Sequence, residues 1–242
     1  MDYEKMYHLL SPYRHQTNQT LLFSGSDNER DFYKNRKKLG KDWEYRDKHI
    51  TYNYNEYGFR TKSFDKISWQ DSVVILGCSN VEGIGQAEED TIAAHLERII
   101  DMPVVNLGLG GTAVDIAAWN SLILHEHYPH PKAIVQLWTS LDRYTDYRDD
   151  LNRVTNNLPM HSSDYLVRHN WNFRSKLYVK ADRALWKDKI PYYEASFFEN
   201  TACELEIDVC SRHDHARDFV HYGVETAKLA AEKISKSLTL SP

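Results

Sequence analysis

Three stretches of this chain carry residue types and spacings that can do chemistry. Gly77-Cys78-Ser79-Asn80-Val81-Glu82-Gly83-Ile84-Gly85 puts a serine on a tight turn leaving an apolar run. Asn106-Leu107-Gly108-Leu109-Gly110-Gly111-Thr112 is a glycine-rich turn running into a helical pattern. Asp214-His215-Ala216-Arg217-Asp218-Phe219-Val220-His221-Tyr222-Gly223 gathers histidines and acids ahead of the last helical pattern. Each of the three follows a strand pattern, and in an open parallel sheet such loops collect at the carboxyl edge, where ligands bind. Two rival chemistries are disfavoured. Gly108–Gly111 lacks both the Gly-x-Gly-x-x-Gly spacing and the lysine of a phosphate-binding loop. His125-Glu126-His127 places its two imidazoles at i and i+2, which diverge on a helix. His213-Asp214-His215 offers no His-x-x-x-His face for zinc. No metal and no organic cofactor are therefore expected.

Taken together, the three stretches resemble the SGNH (GDSL-type) hydrolases, a family of esterases, lipases and carbohydrate deacetylases. The family's Gly-Asp-Ser-x-x-x-Gly block appears as Gly77-Cys78-Ser79-Asn80-Val81-Glu82-Gly83, with Cys78 in place of the commoner aspartate. Its Asn-x-x-x-x-Gly block is matched by Asn106 to Gly111, and its Asp-x-x-His block by Asp218-Phe219-Val220-His221. The resemblance implies that Ser79 is the nucleophile, His221 its base and Asp218 the partner that orients His221. It also implies that the backbone N–H groups of Ser79 and Gly111 form an oxyanion hole. The chemistry agrees with those roles: a serine hydroxyl is a weak nucleophile until a base within reach takes its proton. Histidine does so near neutral pH, and a carboxylate fixes its tautomer.

The third family block, Gly-x-Asn-Asp, is missing. The stretch after the third strand reads Gln136-Leu137-Trp138-Thr139-Ser140-Leu141-Asp142-Arg143. Ser140 stands nearest the absent Asn, with Thr139 and Asn80 as substitute oxyanion donors. Arg143, Arg60 and His215 are candidate substrate contacts, Arg60 because Asn55-Glu56-Tyr57-Gly58-Phe59-Arg60 resembles a segment found ahead of the serine block in some SGNH proteins.

The elements that must position these residues begin at about residue 70. Val73-Val74-Ile75-Leu76-Gly77 is a continuous apolar run of the kind buried on both faces of a parallel sheet. The spacing predicts a helix over 88–100 with Ile92, Leu96, Ile99 and Ile100 on one face and acids at its start. It predicts further strands at 103–107, 133–138 and 205–209, and helices at 112–125, near 177–186 and at 224–238. Strand and helix alternate, which indicates βαβ units. With the resemblance, the expected fold is α/β: a three-layer α/β/α sandwich on a central parallel sheet, flavodoxin-like as in SGNH hydrolases. Residues 1–70 show only a short alternation at 51–55 and no helical stripe. They read as a lead-in packed on an SGNH hydrolase-like domain spanning 71–242.

Composition bounds the rest. The chain has 242 residues with 30 basic and 35 acidic side chains, a net charge of −5. That balance lacks the basic footprint of nucleic-acid binding. No apolar run reaches the roughly 18 residues of a membrane span, and the first residues have no signal-peptide pattern. A cytoplasmic or particle-associated protein is expected. Three cysteines close no disulfide framework. The 16 tyrosines and 6 tryptophans either pack in the core or stack on sugar rings, and Trp119, Trp138 and Trp186 are assigned to packing. The expected activity is removal of a small acyl group, such as acetyl, from a carbohydrate ester. The alternatives are a lipid or general carboxylesterase, an acyltransferase with the same triad, or a non-catalytic glycan-binding or structural module.

Overall fold

The computed structural model describes residues 8–141, 143–148, 153–157, 165–197, 207–208 and 212–239. In chain order its elements are β1 (Thr20–Leu21), α1 (Glu29–Lys38), β2 (Tyr52–Asn53), β3 (Val73–Gly77), α2 (Ser79–Glu82), α3 (Ile92–Ile100), β4 (Val104–Gly108), α4 (Val114–His127), β5 (Ala133–Trp138), β6 (Tyr144–Arg148), β7 (Arg153–Asn157), α5 (Tyr165–Trp186), β8 (Tyr192–Ser196), β9 (Ile207–Asp208) and α6 (Val224–Ser237).

Five strands form one parallel sheet in the order β4-β3-β5-β8-β9. Because side chains alternate across a strand, the VVIL run of β3 feeds two cores. Val73 and Ile75 join Ala133, Val135 and Leu137 beneath α3 and α6, through Ile92, Leu96, Ala227, Ala231 and Ile234. Val74 and Leu76 join Val105, Leu107 and Ile134 on the opposite face, with Ile116 and Leu124 of α4 and Trp186 of α5. This is a three-layer α/β/α arrangement. The buried tryptophans are satisfied as well as packed: Trp186 Nε1 donates to Ser121 Oγ at 2.7 Å and Trp138 Nε1 to Glu194 Oε1 at 2.8 Å.

The topology singles out one edge of the sheet. From β3 the chain moves first to β4 on one side and later to β5 on the other, so its direction of travel reverses next to β3. Ligands bind at such a switch point, beyond the carboxyl ends of the strands. Gly77, Gly108 and Leu137 lie in register there. Gly108 is required at this edge because a Cβ on it would lie 2.3 Å from the Glu82 nitrogen, so only glycine lets α2 settle onto β4.

Several boundaries differ from the sequence expectation for identifiable reasons. The acids at 88–90 form a separate 3-10 turn. α3 starts after Thr91, whose side chain accepts from Ala94 N at 3.3 Å as an N-cap. Its buried face is made by Ile92, Ala93 and Leu96, so Ile99, expected on that face, is 45% exposed. Within the first 70 residues α1 was not anticipated, because none of its residues is buried and no apolar stripe marks it. Its signals are instead an Asn28 cap, acids in the first turn and Arg36, Lys37 and Lys38 in the last, all complementary to the helix dipole. The 205–209 strand is β9 at Ile207–Asp208; Leu205 and Val209 lie outside the described residues. The hairpin β6–β7 and strand β8 also lacked a sequence signal.

Candidate active site

Ser79 opens α2 immediately after β3, and its side chain meets His221 from the loop before α6. Ser79 Oγ lies 2.7 Å from His221 Nε2, and His221 Nδ1 lies 2.7 Å from Asp218 Oδ2. Burial disfavours a charged Asp218, but the hydrogen bond and charge of His221, its backbone N–H, and the Ser26 hydroxyl outweigh that and lower its pKa to about 2. An ionised carboxylate only accepts, so the His221 proton sits on Nδ1 and leaves Nε2 to accept from the Ser79 hydroxyl. The Asp218 side chain is fully buried, whereas that of His221 keeps 15% exposure.

The Asp-x-x-His turn is short enough for Asp218 to fix its own partner. Its Oδ1 accepts the backbone N–H groups of Val220 and His221, both at 3.0 Å, while Oδ2 faces the imidazole. Phe219 in the middle of that turn has φ +60°, a left-handed conformation that a bulky residue adopts only at a cost of about 1–3 kcal/mol. A ring stack on Trp43, with centroids 5.9 Å apart, holds it there.

Ser79, Gly111, His221 and Arg143 line a cavity of about 380 Å³ together with Tyr13 and Ser26 of the N-terminal segment. The turn after β4 is anchored by Glu82, which no motif in the sequence singles out. Glu82 is fully buried and accepts from the Gly110 N–H and, at 2.7 Å, from the Tyr54 hydroxyl. Burial raises its pKa against the opposing pull of Tyr54, Gly110 and Arg60. The Tyr13 phenol, beside the same carboxylate, is pushed well above the ordinary tyrosine range by burial and by Glu82. With Gly110 committed to Glu82, Gly111 follows at φ +71°. Among the described residues no protein acceptor takes the N–H of Ser79 or Gly111.

Other expected site residues lie elsewhere. Arg60 is 3% exposed and donates to the carbonyls of Thr51, Glu82, Gly83 and Gln86; it staples the α2 turn to the N-terminal segment instead of reaching substrate. His215 is exposed, bridges through its backbone to Tyr222 and does not line the cavity. Asn80 Oδ1 accepts from Tyr222 N at 3.5 Å, and Asn80 does not line the cavity. Neither Thr139 nor Ser140 lines the cavity. Thr139 is buried with no partner for its hydroxyl among the described residues.

Ser26 was also missed. Its Oγ donates to Asp218 Oδ2 at 2.7 Å, and the neighbouring Asp27 forms a buried ion pair with Arg217 at 2.6 Å. No signal in the local sequence marks these contacts, because 190 or more residues separate the partners.

A parallel sheet covered on both faces, with a hydrogen-bonded Ser–His–Asp row at its carboxyl edge, defines an α/β protein with a candidate active site at that edge. The solved structures it resembles include SGNH/GDSL-type esterases. One is a carbohydrate acetylesterase family member from Sinorhizobium meliloti, at 16% identity over 69% of this chain and 96% of that one, TM-score 0.44. A protein of the G-D-S-L family from Desulfitobacterium hafniense matches at 16% identity over 70% of this chain and all of that one, TM-score 0.48. An acetyl xylan esterase from Butyrivibrio proteoclasticus matches at 10% identity, TM-score 0.45, over 70% of this chain and 63% of that one. No protein-family model and no curated protein matches the sequence.

Proposed function

We propose that the chain is a serine ester hydrolase working through an acyl-enzyme. The observation that carries the reading is the continuous Ser79–His221–Asp218 hydrogen-bonded row, 2.7 Å at each link, opening on a cavity. Ser79 Oγ attacks the acyl carbonyl as its proton passes to His221 Nε2. The imidazolium is held by the Asp218 carboxylate. Charge on the carbonyl oxygen is met by the N–H groups of Ser79 and Gly111, each such donor being worth about 3–4 kcal/mol in the transition state. His221 then returns the proton to the departing alcohol, and a water activated by the same imidazole hydrolyses the acyl-enzyme.

The cavity of about 380 Å³ has room for the small acyl group that this reading assigns to the substrate. Arg143 beside Ser79 and His221 supplies a polar contact for the alcohol portion, and the reading takes that portion to be a carbohydrate. The same triad serves a general carboxylesterase or an acyltransferase. Its two backbone donors, without the family's asparagine, are also compatible with a site that has lost turnover.

The test is hydrolysis of p-nitrophenyl acetate, p-nitrophenyl octanoate and an O-acetylated sugar by the wild type and Ser79→Ala. The expected result is turnover of the acetyl esters, abolished in the variant, with fluorophosphonate labelling of Ser79. Absence of both turnover and labelling in the wild type sinks the reading. Preference for the octanoate transfers it to the general carboxylesterases.

A further inference from the structure

We propose that Ser26 is a positioning residue for the Asp218–His221 pair, so that the working unit is a row of four side chains, one of them supplied by the N-terminal segment. This rests on the triad reading above. Each oxygen of Asp218 takes two donors: Oδ1 takes the N–H groups of Val220 and His221, and Oδ2 takes His221 Nδ1 and Ser26 Oγ. Ser26 Oγ also lies 3.3 Å from His221 Nδ1. Its hydroxyl therefore donates to the carboxylate while its lone pairs face the imidazole N–H, closing a three-membered contact at the pivot of the ring. A carboxylate oxygen held from two directions cannot follow the imidazole as that ring gains and loses charge, and the ring stays aimed at Ser79.

The contact is built into the fold. Asp27, next to Ser26, and Arg217, next to Asp218, form a buried paired bond: Arg217 Nε to Asp27 Oδ1 at 2.9 Å and Nη2 to Oδ2 at 2.6 Å. Arg217 is sandwiched over the Phe23 and Phe32 rings at 4.8 and 5.1 Å. The Ser26 carbonyl accepts from Asn28 Nδ2 at 3.0 Å, and Asn28 caps α1. One ion pair thus presents Ser26 and Asp218 to each other. Ser26 itself is exposed, so its hydroxyl has no packing role that would explain its placement.

The experiment compares the full-length wild type with Ser26→Ala and Ser26→Thr. Expected for Ser26→Ala are a kcat on p-nitrophenyl acetate lowered about 10-fold with KM within about twofold, a displaced low-field Nδ1 proton resonance of His221, and an unchanged melting temperature. Ser26→Thr, which keeps the hydroxyl, restores both kcat and the resonance. An unmoved resonance in Ser26→Ala overturns the proposal, as does an equal loss in both variants, which points to packing. If the wild type neither turns over nor labels at Ser79, the catalytic reading fails by itself; the resonance then still decides whether Ser26 holds the pair.

Discussion

Glu82 shows how a single side chain sets the geometry of a neighbouring loop. It lies three residues after Ser79, yet its carboxylate turns away from the cavity and binds the Gly110 N–H and the Tyr54 hydroxyl. An unpaired carboxylate is costly at full burial, so the fold places two phenols and a backbone donor around it. The turn after β4 depends on it: with Gly110 fixed, the next N–H, that of Gly111, stands at the cavity. Glu82→Ala is expected to lower kcat about 10²-fold with KM little changed, comparable to removal of one oxyanion donor. Glu82→Gln keeps a carbonyl oxygen for Gly110 and is expected to stay within about 10-fold of the wild type. Steady-state kinetics of both variants check this, and a Gln variant as slow as Ala would assign the effect to charge and not to the anchored turn.

Among the elements, the N-terminal segment is joined to the loop before α6, which carries Asp218 and His221, more closely than its sequence suggests. The Asp27–Arg217 pair is nearly inaccessible at both ends, with side-chain exposures of 1% and 4%. Tyr52 donates to Asp27 Oδ2 at 2.6 Å and accepts from Gly85 N at 2.7 Å, tying β2 and the α2 turn into the same network. Removing one partner of a buried pair leaves the other charge stranded, at about 3–5 kcal/mol. Asp27→Ala is expected to lose that much stability in urea denaturation, while adding Arg217→Met recovers part of it. A single-variant loss below about 1 kcal/mol would show that solvent already reaches the pair. The same contact explains what was legible in the sequence. Ser79, Gly111, Asp218 and His221 each sit within a short motif at a strand end or before a helix, where local spacing carries the information. Asp27, Ser26 and Tyr54 act across the chain, and their partners become neighbours only after the sheet forms. Helix α1 hid for the converse reason: it buries nothing, so its capping and charge order are its only marks.

At the scale of the whole molecule, the buried carboxylates Asp218 and Asp182 couple folding to pH in opposite directions. Asp218, held at about 2, lies below its unfolded value near 4. The stability it lends is fully present above pH ~4 and lost as pH falls toward about 2, so it is silent between pH 5 and 8. Asp182 behaves oppositely. It is buried on α5 beneath β8, accepts from the Tyr192 hydroxyl at 2.7 Å and has no partner for Oδ1 among the described residues. Burial raises its pKa to about 7 against the pull of the nearby Ser121 and Tyr192 hydroxyls, with the Glu194 charge adding to the rise. Between pH ~4 and 7 the unfolded chain has released this proton and the folded one retains it. Folded protein therefore binds more protons, and stability falls as pH rises through that window. From pH 5 to 8 the Asp182 contribution amounts to a loss on the order of 2–3 kcal/mol. Asp182→Asn, neutral throughout and close in shape, is expected to remove that loss. Its urea midpoint at pH 8 should then exceed that of the wild type, while the two differ less at pH 5. Parallel midpoints for both proteins across pH 5–8 would show that Asp182 ionises freely in the fold, and the buried site under α5 would have to be hydrated.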